Sequence, residues 1–149
     1  RYTLERPGGD RGGNLFELKV PPDLSDGYPP DNLHAYWDGT AGLFPWIPPS
    51  GAWREKVPAL AERVRAATPS PQGIEGDLDP ESWARESYRL AAETVYQGVE
   101  EGTWPDEAYR TRAQSVIEQR LALAGYRLGA LLEFAVGAGG AGAEGPARP

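Results

Sequence analysis

Between Tyr109 and Ala135, apolar side chains return at steps of three and four residues for nearly thirty positions: Tyr109, Ala113, Val116, Ile117, Leu121, Ala124, Leu128, Leu131, Leu132 and Ala135. A stripe of that period occupies one face of a helix, and its length suits a helical bundle. A second periodic stretch starts at Asp79-Pro80-Glu81. These three residues combine an N-cap, a proline at the first helical position and an acid where the helix dipole favours negative charge. Trp83, Ser87, Leu90 and Thr94, with Ala84, Tyr88, Ala91 and Val95, carry the pattern to about Glu101. Together the two stretches predict an all-α, multi-helix fold.

The remaining chain is punctuated by turns, as 19 Gly and 15 Pro among 149 residues require. Leu15–Val20 reads as a short strand or one arm of a hairpin between Gly12-Gly13-Asn14 and Pro21-Pro22. Asp31 or Asn32 is placed to cap a short helix over Leu33–Asp38, which Gly39 and Gly42 end. Residues 43 to 51 hold three prolines and form an apolar loop, in which Trp46 is expected to pack. A helix over about Trp53–Ala67 follows, with Pro58 tolerable near its start or at a break between two shorter helices. Thr68 to Gly73 form a surface loop. Residues 1–136 thus make one domain, and 137–149, rich in Gly, Ala and Pro, hold nothing to anchor a core and predict a disordered tail.

Composition excludes several kinds of protein. A net charge of -7 argues against a broad basic face that grips duplex DNA through its phosphates. It leaves room for a metal-assisted phosphate site, because bound cations bring their own charge. No apolar run reaches 18 residues, and the absence of Cys removes thiolate ligands, cysteine nucleophiles and disulfides together. The chain starts at Arg1 without an initiator Met or a signal-like segment, so its first residues read as the middle of a longer protein.

His34 is the single histidine, and Asp38 follows four residues later. On a helix the two share a face one turn apart, where imidazole and carboxylate can meet one zinc ion or simply pair with each other. Two ligands are fewer than the three that even a catalytic zinc site usually draws from protein. Asn14 offers an amide to a base or phosphate, although Gly-Gly-Asn also makes a tight turn. Thr40 stands beside Asp38, either as a base contact or as a helix-end hydroxyl. Tyr36 and Trp37 read as core aromatics, with Trp37 buttressing the helix. Glu86 reads as a partner of a ligand histidine or of an arginine, because no second histidine exists to activate Ser87. Arg85, Arg89, Arg110 and Arg112 read as surface charges.

The string Asn32-Leu33-His34-Ala35-Tyr36-Trp37-Asp38, preceded by Gly9-Asp10-Arg11-Gly12-Gly13-Asn14, resembles the zinc-dependent single-strand nuclease family of nuclease S-one and nuclease P-one. Trp83-Ala84-Arg85-Glu86-Ser87 is similar to that family's Trp-two-residues-Glu-Ser helix, and Leu123 to Leu128 to its Ala-Gly-x-Arg-Leu closing helix. The resemblance covers about residues 8 to 133, the second half of such an enzyme.

It implies the helical phospholipase C/P-one-nuclease fold and a site of three zinc ions that cleaves single-stranded DNA and RNA to 5′-phosphorylated products. By the same resemblance His34 and Asp38 are two ligands of one zinc, and the protein is secreted or periplasmic. The other ligands of the family, an N-terminal Trp and several His and Asp residues, belong to a front half that these 149 residues lack. At most one partial zinc site is therefore expected in this chain, which alone should be inactive and prone to associate through uncovered apolar faces. Two rival readings follow from the same features: a zinc phospholipase C-like hydrolase, which shares the fold, and a non-catalytic helical module that binds a partner.

Overall fold

The structure, a computed structural model, describes residues 6–24, 29–44, 53–74 and 77–140, with the side chains of 138–140 left aside. Among the described residues four α-helices follow in order: α1 (Leu33–Asp38), α2 (Trp53–Ala67), α3 (Pro80–Leu90) and α4 (Glu107–Gly140). Short 3-10 turns at Pro22–Leu24 and Thr40–Gly42 and a π turn at Ala91–Val95 complete the regular structure of the described residues. The apolar loop with Trp46 lies mostly outside the described residues.

The helix starts are local chemistry. Asn32 accepts the Ala35 amide at 2.8 Å at the head of α1. Asp79 accepts the amides of Glu81 and Ser82, each at 3.1 Å, with Pro80 as the first helical residue of α3. In α2, Pro58 sits in the second turn without breaking the helix, since its missing N–H deprives only the Arg54 carbonyl near the helix start.

Two expectations require correction. Leu15–Val20 forms no strand; among the described residues its only ladder contact is an isolated antiparallel bridge between Glu17 and Asn32. The segment is extended and buries Phe16 and Leu18 while exposing Glu17, as a strand would. However, it is held between two loops: Leu18 donates to Asp31 and Leu33 to Phe16 on one side, and Gly102 donates to Glu17 on the other. Pro29-Pro30 before the bridge and α1 directly after it leave no length for a ladder. The helix from Asp79 also stops early: α geometry gives way to the π turn at Ala91, and the chain then turns through Gly98 at φ 75° and Gly102 at φ 78°. A Cβ on Gly98 would lie 2.9 Å from the Arg112 guanidinium, which itself holds the Gln97 carbonyl at 2.8 Å.

The main core gathers Phe16, Leu18, Leu33, Tyr36, Ala41, Val99, Tyr109, Ala113 and Ile117, so it joins α1 and the extended segment to the first half of α4. Val64 of α2 and Ala122 of α4 are buried farther along. Beyond them Ala130 is still buried, while Leu128, Leu132, Phe134 and Val136 are exposed, so the stripe is only partly covered by the described residues. α4 itself continues to Gly140, past the expected start of the tail; 141–149 lie outside the described residues.

α3 buries no residue and is tied down by charge. Arg127 of α4, itself buried, donates to Asp77 Oδ2 at 2.8 Å and Glu86 Oε2 at 2.9 Å and lies over the Trp83 ring. Arg120 adds a 2.8 Å pair with Glu86, so the partner of Glu86 is arginine.

Candidate metal centre

The segment Asp10–Asn14 is a turn built on left-handed backbone: Arg11 has φ 54°, Gly12 67° and Gly13 90°. Asp10 shapes it. Its carboxylate is buried and accepts the Gly13 amide at 3.2 Å and the Tyr96 hydroxyl at 3.1 Å through Oδ1. Burial works to raise its pKa, but hydrogen bonds to the carboxylate, those from Gly13 and Tyr96 among them, hold it below the ordinary value.

The turn docks directly on α1. The Gly13 carbonyl accepts the amides of Phe16 at 3.2 Å and His34 at 3.3 Å. A side chain at Gly13 would put its Cβ 3.1 Å from the His34 nitrogen, which is why glycine stands there. The Gly12 carbonyl lies 3.1 Å from His34 Nδ1. A carbonyl oxygen only accepts, so this contact calls for a proton on Nδ1; in the neutral ring Nε2 then keeps its lone pair, and in the charged ring Nε2–H donates to a neighbouring acceptor.

Nε2 in turn lies 3.2 Å from Asp38 Oδ2, one helical turn on, and both side chains are largely exposed. Two acceptors facing each other at this distance repel unless a proton or a metal ion lies between them. Two zinc ligands at tetrahedral angle, each at about 2.0–2.2 Å, stand about 3.4 Å apart, and an ordinary N–H···O hydrogen bond spans about 2.7–3.2 Å, so the separation admits either a shared ion or a direct pair. Among the described residues no group of three or more His, Cys, Asp or Glu gathers, so His34 and Asp38 stand there as a pair.

Trp37 buttresses α1 from the other side. Its indole N–H donates to the Tyr109 hydroxyl at 2.9 Å, and that hydroxyl donates to the Val95 carbonyl at 2.6 Å. Tyr36 is buried edge-on against Trp104. The Asn14 side chain donates to the Arg11 carbonyl at 2.8 Å, closing the turn, and remains exposed. Thr40 donates to the Gly39 carbonyl at 2.7 Å and accepts the Phe44 amide at 3.3 Å, the work of a helix-end hydroxyl. The supports that sequence reasoning missed are Tyr96 and the hydroxyl of Tyr109. Asp10 itself had a local signal, an Asp three residues before Gly13 that accepts its amide.

A family model described as S1/P1 Nuclease matches residues 4–137. No curated protein and no solved structure matches the chain. No helix among the described residues is long and apolar enough to cross a membrane.

Proposed function

The chain belongs to the S1/P1 nuclease family, and from that premise we propose that His34 and Asp38 are two ligands of one zinc ion in a nuclease acting on single-stranded DNA and RNA. The products are 5′-phosphorylated, and the remaining ligands of a three-zinc cluster come from polypeptide upstream of Arg1. The observation that carries this reading is the His34 Nε2 to Asp38 Oδ2 separation of 3.2 Å, with Nδ1 already engaged by Gly12.

Zinc at such a site supplies Lewis acidity toward the phosphate and lowers the pKa of bound water. The chain's own residues do the positioning. Gly12 sets the imidazole tautomer, the helical turn from His34 to Asp38 sets the separation of the two donor atoms, and Trp37 pins the helix to α4 through Tyr109. Asn14 and Thr40 lie exposed on the turn and at the end of α1, and we assign them to substrate contact. We place the protein outside the cytoplasm, secreted or periplasmic.

The test is digestion of heat-denatured and duplex DNA by the polypeptide extended upstream of Arg1, with and without His34→Ala. Cleavage confined to the denatured DNA, dependent on zinc and lost in the variant, is expected. Unchanged cleavage by His34→Ala would remove the ligand assignment, and release of phosphocholine from a lecithin with intact oligonucleotide would replace nuclease by phospholipase.

A further inference from the structure

The Gly13 amide and the Gly12 carbonyl are the two ends of one peptide group. In a trans peptide they point in opposite directions. Asp10 Oδ1 accepts at the N–H end at 3.2 Å, and His34 Nδ1–H donates at the C=O end at 3.1 Å. A buried carboxylate and the imidazole are thereby joined in line through a single amide.

Hydrogen bonds in such a chain polarise one another. A negative charge at the N–H pushes electron density toward the carbonyl oxygen, which then holds the imidazole N–H more strongly. Carboxylates that touch a metal-binding histidine fix its tautomer and raise its basicity as a ligand. Here the carboxylate works one peptide away. Asp10 is only 2% exposed and lies beside the buried Gly13, so its carboxylate meets the Gly13 N–H away from solvent.

We infer that Asp10 is a positioning residue for the metal site, acting through the Gly12–Gly13 peptide to hold the His34 proton on Nδ1 and leave Nε2 for the metal. Tyr96 holds the Asp10 carboxylate in place, so the end of the π turn helps set the same relay. The inference rests on the reading of His34 as a ligand.

His34 is the sole histidine, so the imidazole ¹⁵N spectrum of the whole chain reports it alone. At a pH where the ring is neutral, the wild-type chain should show the proton on Nδ1; a proton on Nε2 overturns the relay. Asp10→Asn should move both ring ¹⁵N resonances toward a mixture of tautomers, and unchanged resonances in the folded variant overturn it too. If Asp10→Asn loses its helical circular dichroism, Tyr96→Phe takes its place. That change frees Oδ1 of one of the donors it serves and should also shift the His34 resonances, an absent shift counting against the relay. Cobalt titration of the wild-type chain tests the ligand reading separately. A cobalt-dependent spectrum that His34→Ala leaves unchanged would defeat the ligand assignment while the tautomer result still decides the relay. Where cobalt binds, Asp10→Asn should weaken it about 10- to 100-fold, and equal affinity would reject the relay while sparing the ligands.

Discussion

Trp37 and Tyr109, 72 positions apart, meet through one hydrogen bond of 2.9 Å from the indole N–H to the phenol oxygen. The same phenol donates to the Val95 carbonyl, so a single hydroxyl joins α1, α4 and the π turn. Tyr109 is only 1% exposed, which makes that hydroxyl the hinge between the candidate site and the longest helix.

Tyr109→Phe removes the hydroxyl and strands both the Trp37 donor and the Val95 acceptor. Leaving buried polar groups unsatisfied costs about 1–3 kcal/mol, a loss that urea unfolding followed by tryptophan fluorescence should read. The wild type should also weaken in alkali. Burial pushes the Tyr109 phenol up to about 12, against an ordinary value of 10.0. The folded state therefore keeps a proton that the unfolded state gives up, and stability present below about 10 is lost as pH rises toward 12. The Phe variant should lack that part of the alkaline dependence.

Arg127 is the clamp on α3, a helix that buries no residue of its own. Arg127→Met keeps a stem to lie on Trp83 but leaves Asp77 and Glu86 without their shared guanidinium. A loss of about 1.5–3 kcal/mol, the scale of one hydrogen bond to a charged group, is expected in thermal or urea unfolding. The hydrogen bond from Arg127 holds Asp77 below the ordinary carboxylate value, and that from Arg120, then Arg127, does the same for Glu86. The unfolded chain binds protons first as pH falls below the ordinary carboxylate values, so the stabilisation is present above them and fades through the folded values. Acid unfolding of Arg127→Met should accordingly be less steep than that of the wild type.

The two glycines of the turn should respond differently to alanine. Gly12 has φ 67° and open space around its missing Cβ, so Gly12→Ala carries only the left-handed penalty, about 1–2 kcal/mol. Gly13 has φ 90° and would press its Cβ to 3.1 Å from the His34 nitrogen. Gly13→Ala should cost more than Gly12→Ala in unfolding free energy and should weaken cobalt binding as well. Equal costs in the two variants would mean that the turn does not bear on α1.

Much of this architecture is legible locally. The caps Asn32 and Asp79 precede their helices by one residue, and the spacing of His34 and Asp38 needs only a helical turn to bring the pair together. The Leu15–Val20 segment was misread because alternation reports which side chains are buried, whereas a strand also needs a neighbour long enough to pair with. The end of α3 was misread because three- and four-residue spacing runs on through Val95 while the backbone has already widened to a π turn. The supports of the site were hidden for a different reason. Tyr96 reaches Asp10 across 86 positions and Tyr109 reaches Trp37 across 72, and such contacts exist only once α3 and α4 are folded back.

The last prediction separates binding from folding at the metal pair. His34 and Asp38 have largely exposed side chains, and neither belongs to the core. His34→Ala and Asp38→Asn should therefore change unfolding free energy in the metal-free chain by no more than about 0.5 kcal/mol, the usual range for surface sites. A metal that binds only the folded state raises stability by an amount set by its concentration relative to Kd. Zinc should thus raise the melting temperature of the wild-type chain, less so that of Asp38→Asn, and leave His34→Ala where it was. Chelator should return the wild type to the metal-free value. A zinc-induced rise of equal size in wild type and His34→Ala would locate the bound ion elsewhere, and a large destabilisation of metal-free His34→Ala would make the Gly12 contact a structural tie instead of a ligand's orienting bond.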